Sequence, residues 1–195
     1  MVAASATLSR IPTVFNQLGP LLNPARPDAS LVGCADPAVA PIMAQVFADR
    51  GNTALVVRGD DGLDELSTSG PSTIWIASHG AVRRHRLDPV ELGIGPAPVG
   101  ALRGSGRRVN AAAVRGVLAG GAGPVRDAVL LNAAAAIAAH DGFAEPPPTG
   151  ALRDVVHDGL VAAARSIDSG AAADTLRRWV QHRTRNRPSH SDIPI

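Results

Sequence analysis

The stretch Leu31–Arg58, LVGCADPAVAPIMAQVFADRGNTALVVR, decides the fold. Its first five residues, LVGCA, are a short apolar run that reads as a buried strand. Asp36 can accept from the free amides that open a helix, and Pro37 supplies a φ preset for the first helical position. A helix over 38–49 follows, with Val39, Ile42, Met43 and Val46 on one face. Gly51 ends it, and Thr53–Arg58 is a second strand. A strand, a helix and a strand in so short a span form a βαβ unit, whose two strands are parallel.

The second strand runs into GDDGLDE at 59–65. Thr73–Ser78 reads as a third strand, and His79-Gly80 as a hairpin turn into Val82–Leu87. Residues 88–106 are rich in Pro and Gly and read as loop. Helices are predicted over 107–118, 125–140, 152–168 and 172–182. Their apolar stripes are Val125, Val129, Ala133 and Ile137 in the second, and Leu152, Val156, Leu160, Ala163 and Ile167 in the third. The fourth ends on Leu176, Trp179 and Val180. Upstream, 11–27 holds four prolines and reads as turns. The expectation is an α/β domain with a mixed sheet flanked by helices over 11–183, a divergent stretch at 1–10 and a disordered tail at 184–195.

Composition narrows the function. All 19 basic residues of this 195-residue chain are Arg, none is Lys, and Tyr is absent, so the pI of 9.8 accompanies a net charge of only +2. The densest basic clusters are Arg83-Arg84 with Arg86, and Arg107-Arg108. Without a basic stripe or interleaved aromatics, nucleic-acid binding is not expected. The 35 Ala call for a core of closely packed helices rather than bulky side chains. A single cysteine, Cys34, excludes a disulfide framework and a multi-cysteine metal site, and its apolar setting reads as a buried thiol. No segment reaches the ~18 apolar residues of a membrane helix, and no basic n-region precedes the first apolar stretch. No membrane partner and a cytoplasmic location are the expectation.

Two segments could carry chemistry. Asp60, Asp61, Asp64 and Glu65 follow the carboxyl end of a parallel strand, where open α/β sheets bind ligands. Such oxygen donors suit Mg²⁺, which takes one or two carboxylates plus substrate phosphates, yet spacing alone fits a solvated turn of capping acids as well. The run FNQLGPLLNPA at 15–25 is, by itself, a turn-rich segment with buried Leu side chains. Asn110 and Asn132 lie in Ala-rich helices and read as structural hydrogen bonders. The six His have no ligand spacing, no GxSxG is present, and neither Gly104–Gly106 nor Gly120–Gly123 follows a strand into a helix as a phosphate loop does.

In order and spacing, several blocks resemble anthranilate phosphoribosyltransferase. They are IPTVFNQLGPLLNPARP at 11–27, LVGCADP at 31–37, LVVRGDDGLDELS at 55–67, NAAAVRGVLAGGAGPVRDAVLLNAAAAI at 110–137 and IDSGAA at 167–172. The resemblance covers about 11–183. It implies a transferase that joins anthranilate to phosphoribosyl pyrophosphate, releases pyrophosphate and serves tryptophan biosynthesis. The family fold is a helical domain that makes the homodimer and a larger α/β domain. By resemblance, Asp64 and Glu65 match the pair that binds Mg²⁺, and Gly19 and Pro20 match positions lining the anthranilate channel.

Other family parts have no counterpart in these residues. The Gly-rich loop that cradles the phosphates, the Lys-His-Gly-Asn segment and the helical domain are absent, and Ala6 stands where the family has an Arg for the anthranilate carboxylate. The chain therefore reads as the carboxyl-terminal portion of such an enzyme, inactive alone. The alternatives are a non-catalytic remnant, a subunit complementing a separate amino-terminal half, or a pyrimidine nucleoside phosphorylase-like protein. The uncovered edge of a partial sheet predicts poor solubility or self-association.

Overall fold

The computed structural model describes residues 19–143 and 151–185. Alternating apolar stretches and turns build four strands: β1 (Ala29–Gly33), β2 (Thr53–Gly59), β3 (Ser72–Ser78) and β4 (Ala81–Leu87). Among the described residues five helices accompany them: α1 (Ala40–Asp49), α2 (Arg107–Leu118), α3 (Pro124–Asp141), α4 (Ala151–Asp168) and α5 (Ala171–Arg185). Short 3-10 turns occupy Pro20–Leu22, Pro89–Leu92 and Val99–Leu102.

The sheet order is β1-β2-β3-β4. The β1-α1-β2 unit is parallel as read, with Leu31 opposite Leu55. The next two pairings are antiparallel, Val56 facing Trp75 and Ile74 facing His85. The sheet is therefore mixed. His79 and Gly80 both take positive φ, 49° and 75°, as a two-residue hairpin turn requires.

One sheet face presents Leu55, Val57, Ile74, Ile76 and Leu87 to a core completed by Leu131, Ala134, Ala138, Leu152 and Val156 from α3 and α4. The other presents Val32, Val56 and Trp75 to Met43, Ala44 and Phe47 of α1. Alanine in the helices permits close approach: a Cβ on Gly159 of α4 would lie 2.5 Å from the Ala134 carbonyl oxygen of α3. Central β3 is buried along its whole length, whereas edge β4 points Arg83, Arg84 and Arg86 outward.

Several boundaries and helix phases differ from the sequence reading. β1 spans Ala29–Gly33 rather than 31–35, although Cys34 N–H still donates to Val57 O at 2.9 Å. Asp36 closes a turn ahead of α1, accepting from Ala38 N–H, and the helix proper begins at Ala40 around Pro41. That start shifts the buried stripe to Ala40, Met43, Ala44, Phe47 and Ala48, leaving Ile42 exposed. In α3 the inward stripe is Leu131, Ala134, Ala135, Ala138 and Ala139, while Val125 and Val129 face out. Trp179 and Val180 of α5 are also exposed. The helix α5 continues through Arg185, so the expected tail begins too early; 186–195, like 1–10 and 11–18, lies outside the described residues. No described helix is long and apolar enough to cross a membrane.

Candidate active site

Both parallel strands end at the same edge of the sheet, where their following loops meet. The loop after β2 is a tight turn: Gly62 N–H donates to Gly59 O, Gly59 N–H donates to Leu63 O, both at 2.9 Å, and Gly62 takes φ +96°. This turn divides the four carboxylates. Asp60 accepts from Arg86 Nη2 at 2.9 Å and from Thr73 Oγ1 at 3.3 Å. Asp61 accepts from buried Ser67 Oγ at 2.5 Å and from Leu63 N–H at 3.2 Å. Both therefore hold the loop together.

Asp64 and Glu65 are left for other work. Among the described residues, neither carboxylate accepts a hydrogen bond. Burial, then the charges of Asp64 and Asp61, push the Glu65 carboxyl above the ordinary carboxylate range. A cation beside the pair would offset that repulsion.

The loop after β1 closes the other side. A Cβ on Gly33 would lie 1.6 Å from the Asp64 carbonyl oxygen, so the two strand-end loops touch through backbone alone. Arg58 ties them further: Nε donates to Ala35 O at 2.8 Å and Nη1 to Gly59 O at 3.2 Å. Between the loops lies a cleft of about 170 Å³ lined by Pro20, Gly33, Cys34, Asp36, Met43 and Asp64. Cys34 is buried as read, and burial raises its thiol above the usual value.

The fold thus brings Pro20 and Asp64, 44 positions apart, to one cleft. Gly19 sits beside it, its carbonyl accepting from Leu22 N–H at 3.2 Å, and does not line it; nor does Glu65. Phe15, Asn16, Gln17 and Leu18 lie outside the described residues. Gly33 and Arg58 escape the sequence reading; the usable signal is a glycine and a cation at the ends of adjacent parallel strands. A larger cavity, about 660 Å³, shares Pro20 with the cleft and extends, lined by Arg26, Asp28, Arg50 and Asn52 among others, toward the amino ends of β1 and β2. That is the opposite end from the carboxylates, and parallel sheets bind substrates at their carboxyl ends.

Residues 2–173 match a family profile described as the glycosyl transferase family, a/b domain. The chain belongs to this glycosyl transferase family. Anthranilate phosphoribosyltransferase of Rhodococcus jostii (strain RHA1) is 58% identical over 171 residues, 88% of this chain and 46% of the relative. That of Salinispora arenicola is 53% identical over 171 residues, 88% and 47% of the two chains. Among solved structures, anthranilate phosphoribosyltransferase from Thermus thermophilus superposes with a TM-score of 0.76 at 35% identity, over 92% of this chain and 50% of that one. The Saccharomyces cerevisiae enzyme in complex with PRPP and Mg gives 0.76 at 27% identity, over 92% and 48%. The same yeast protein in complex with 4-fluoroanthranilate gives 0.77 at 27%, over 92% and 50%. The chain spans about half the length of the curated relatives it matches, and the match falls in their carboxyl-terminal half. This glycosyl transferase domain thus has the mixed, helix-flanked sheet of its structural relatives.

Do its residues fit a divalent cation? No group of three or more His, Cys, Asp or Glu is gathered for one among the described residues, so a cation here would rest on a carboxylate pair and keep most of its waters. Two unengaged carboxylates on adjacent residues do fit Mg²⁺, which keeps waters and takes its remaining ligands from substrate phosphates.

Proposed function

We propose that this chain is the carboxyl-terminal portion of an anthranilate phosphoribosyltransferase, which transfers the 5-phosphoribosyl group of phosphoribosyl pyrophosphate to anthranilate in tryptophan biosynthesis. The new bond joins the anthranilate nitrogen to the anomeric carbon. The bond to pyrophosphate breaks, and the amine proton leaves to solvent. The observation that carries the reading is the cleft that places Pro20 and Asp64 on common walls at the carboxyl ends of β1 and β2.

Pro20 would line the anthranilate side, with Gly19 next to it but off the cleft wall. Asp64 and Glu65 would hold Mg²⁺ on the phosphoribosyl side, where the bound ion would supply charge neutralisation for the departing phosphates. Gly33 and Arg58 keep the two loops in register, so the residues here act by positioning rather than by covalent attack. The phosphate grip and the helical, dimer-forming part come from the other half, joined in the same chain or supplied by a separate one. Such a biosynthetic enzyme works in the cytoplasm.

Residues 1–195 alone are expected to give no phosphoribosylanthranilate. Mixed with the separately expressed amino-terminal half of the Rhodococcus jostii relative, they are expected to consume anthranilate, followed by loss of its fluorescence. An assembled mixture that leaves anthranilate untouched, or that cleaves a pyrimidine nucleoside with phosphate instead, contradicts the reading.

A further inference from the structure

Asn132 sits in the middle of α3 and reaches 66 positions back along the chain. Its Oδ1 accepts from Leu66 N–H at 2.9 Å, and its Nδ2 donates to Leu66 O at 2.9 Å. The second Nδ2 proton goes to Ala128 O at 3.0 Å, one helical turn earlier. Both amide protons are thus used, and only this orientation of the amide satisfies all three partners. Leu66 is in turn buried in the core that Leu131 shares.

The residue directly after Glu65 is therefore held at its N–H, its carbonyl and its side chain. We propose that Asn132 is a positioning residue for the Asp64–Glu65 pair: it fixes the downstream flank of the pair to α3, while the close approach of Gly33 meets the Asp64 carbonyl between the two carboxylates from the β1 side. The inference rests on the reading that this pair takes a divalent cation.

The physical reason is reach. Asp60 and Asp61 are anchored by their own side chains, to Arg86, Thr73 and Ser67. The carboxylates of Asp64 and Glu65 have no such anchor among the described residues, so only the backbone can set where they point. A helix interior is a stiff support for that purpose. Asn110 is the natural comparison. It too lies in an Ala-rich helix and accepts a loop amide, Ser105 N–H at 2.8 Å, but the segment it holds, 103–106, carries no carboxylate.

The test uses the chain 1–195 with Mn²⁺ as the probe, free Mn²⁺ being counted by electron paramagnetic resonance. Hydrogen exchange of the segment 63–67 is read by mass spectrometry with no metal present. Asn132→Leu should weaken Mn²⁺ binding by about tenfold, the low end of what loss of an outer support does to metal affinity. It should also speed exchange at 63–67. Asn110→Leu should do neither, although it too loses a helix-to-loop hydrogen bond. If Asn132→Leu fails to fold, Asn132→Ser, too short to span to Leu66, provides the same two readings. Unchanged Mn²⁺ affinity with unchanged exchange overturns the proposal, as does an equal effect from Asn110→Leu. If Mn²⁺ binding to the parent chain is absent or insensitive to Asp64→Asn, the metal reading itself fails and the metal role of Asn132 falls with it. In that case the exchange reading still decides whether Asn132 fixes the segment.

Discussion

Replacing Gly33 by Ala probes the junction of the two loops with one methyl group. The added Cβ would lie 1.6 Å from the Asp64 carbonyl oxygen and 2.6 Å from its carbonyl carbon. Both are backbone atoms, so no side-chain rotation relieves the overlap, and the loops must part by well over an ångström. Overpacking of this kind costs about 1–3 kcal/mol. The displacement falls on Asp64, the first of the two carboxylates proposed to take the cation, so stability and metal affinity should decline together. The assay is urea denaturation followed by Trp fluorescence, beside a Mn²⁺ titration. Gly70→Ala is the control, because a Cβ there meets nothing within 4 Å and its φ is not in the left-handed region. That substitution should be neutral or raise stability by about 0.4–1 kcal/mol through the unfolded chain. A Gly33→Ala protein as stable as the Gly70→Ala protein, with Mn²⁺ affinity intact, would show that the two loops do not meet at Gly33.

Two further outcomes test the packing and the buried charge. Gly159→Ala places a Cβ 2.5 Å from Ala134 O, and the resulting overpacking, about 1–3 kcal/mol, should exceed the roughly 1 kcal/mol that alanine gains in helix propensity; urea denaturation should show a net loss. His85 is buried on β4 with neither ring nitrogen hydrogen-bonded among the described residues, and burial, then the Arg83 charge, lowers it below the ordinary 6.5. The unfolded chain therefore binds that proton more readily, so the His85 contribution to stability is full above pH 6.5 and is lost as pH falls. His85→Leu should be about 1 kcal/mol more stable at neutral pH, from the two nitrogens no longer buried unpaired, and its thermal midpoint should change less between about pH 7.5 and about pH 5. A parent protein equally stable at both values would contradict this.

Much of this architecture is legible in local sequence, and particular residues show where legibility ends. The 31–58 stretch carries its own punctuation, Asp36-Pro37 and Gly51, and β1, α1 and β2 form within a few residues of the expected bounds. His79-Gly80 marks the hairpin because a two-residue turn needs positive φ at both places. Helix phase is harder to read. In chains rich in Ala, periodicity of the larger side chains misleads: Ile42, Val125 and Val129 look like core, while alanines hold the inward stripes because they let backbones approach.

The site is half legible. Four carboxylates at a strand end can be seen in 59–65, but their division cannot, since Arg86 lies 26 positions from Asp60 and Ser67 turns back on Asp61 only once the loop has closed. The Asn132 clamp on Leu66 and the Gly33 contact with Asp64 are likewise products of tertiary folding.

Asp64 and Glu65 are proposed as the working carboxylates, and Asp60 and Asp61, anchored by Arg86, Thr73 and Ser67, as the structural ones. The most direct measurement replaces each in turn by its amide in the mixture with the amino-terminal half, and follows anthranilate consumption against Mg²⁺ concentration. Asp64→Asn and Glu65→Gln should abolish turnover at low Mg²⁺ and recover part of it as Mg²⁺ is raised, while Asp60→Asn and Asp61→Asn lower stability and keep the parent Mg²⁺ dependence. Turnover that survives at Asp64 and Glu65 but shifts its Mg²⁺ dependence at Asp60 or Asp61 would contradict the account.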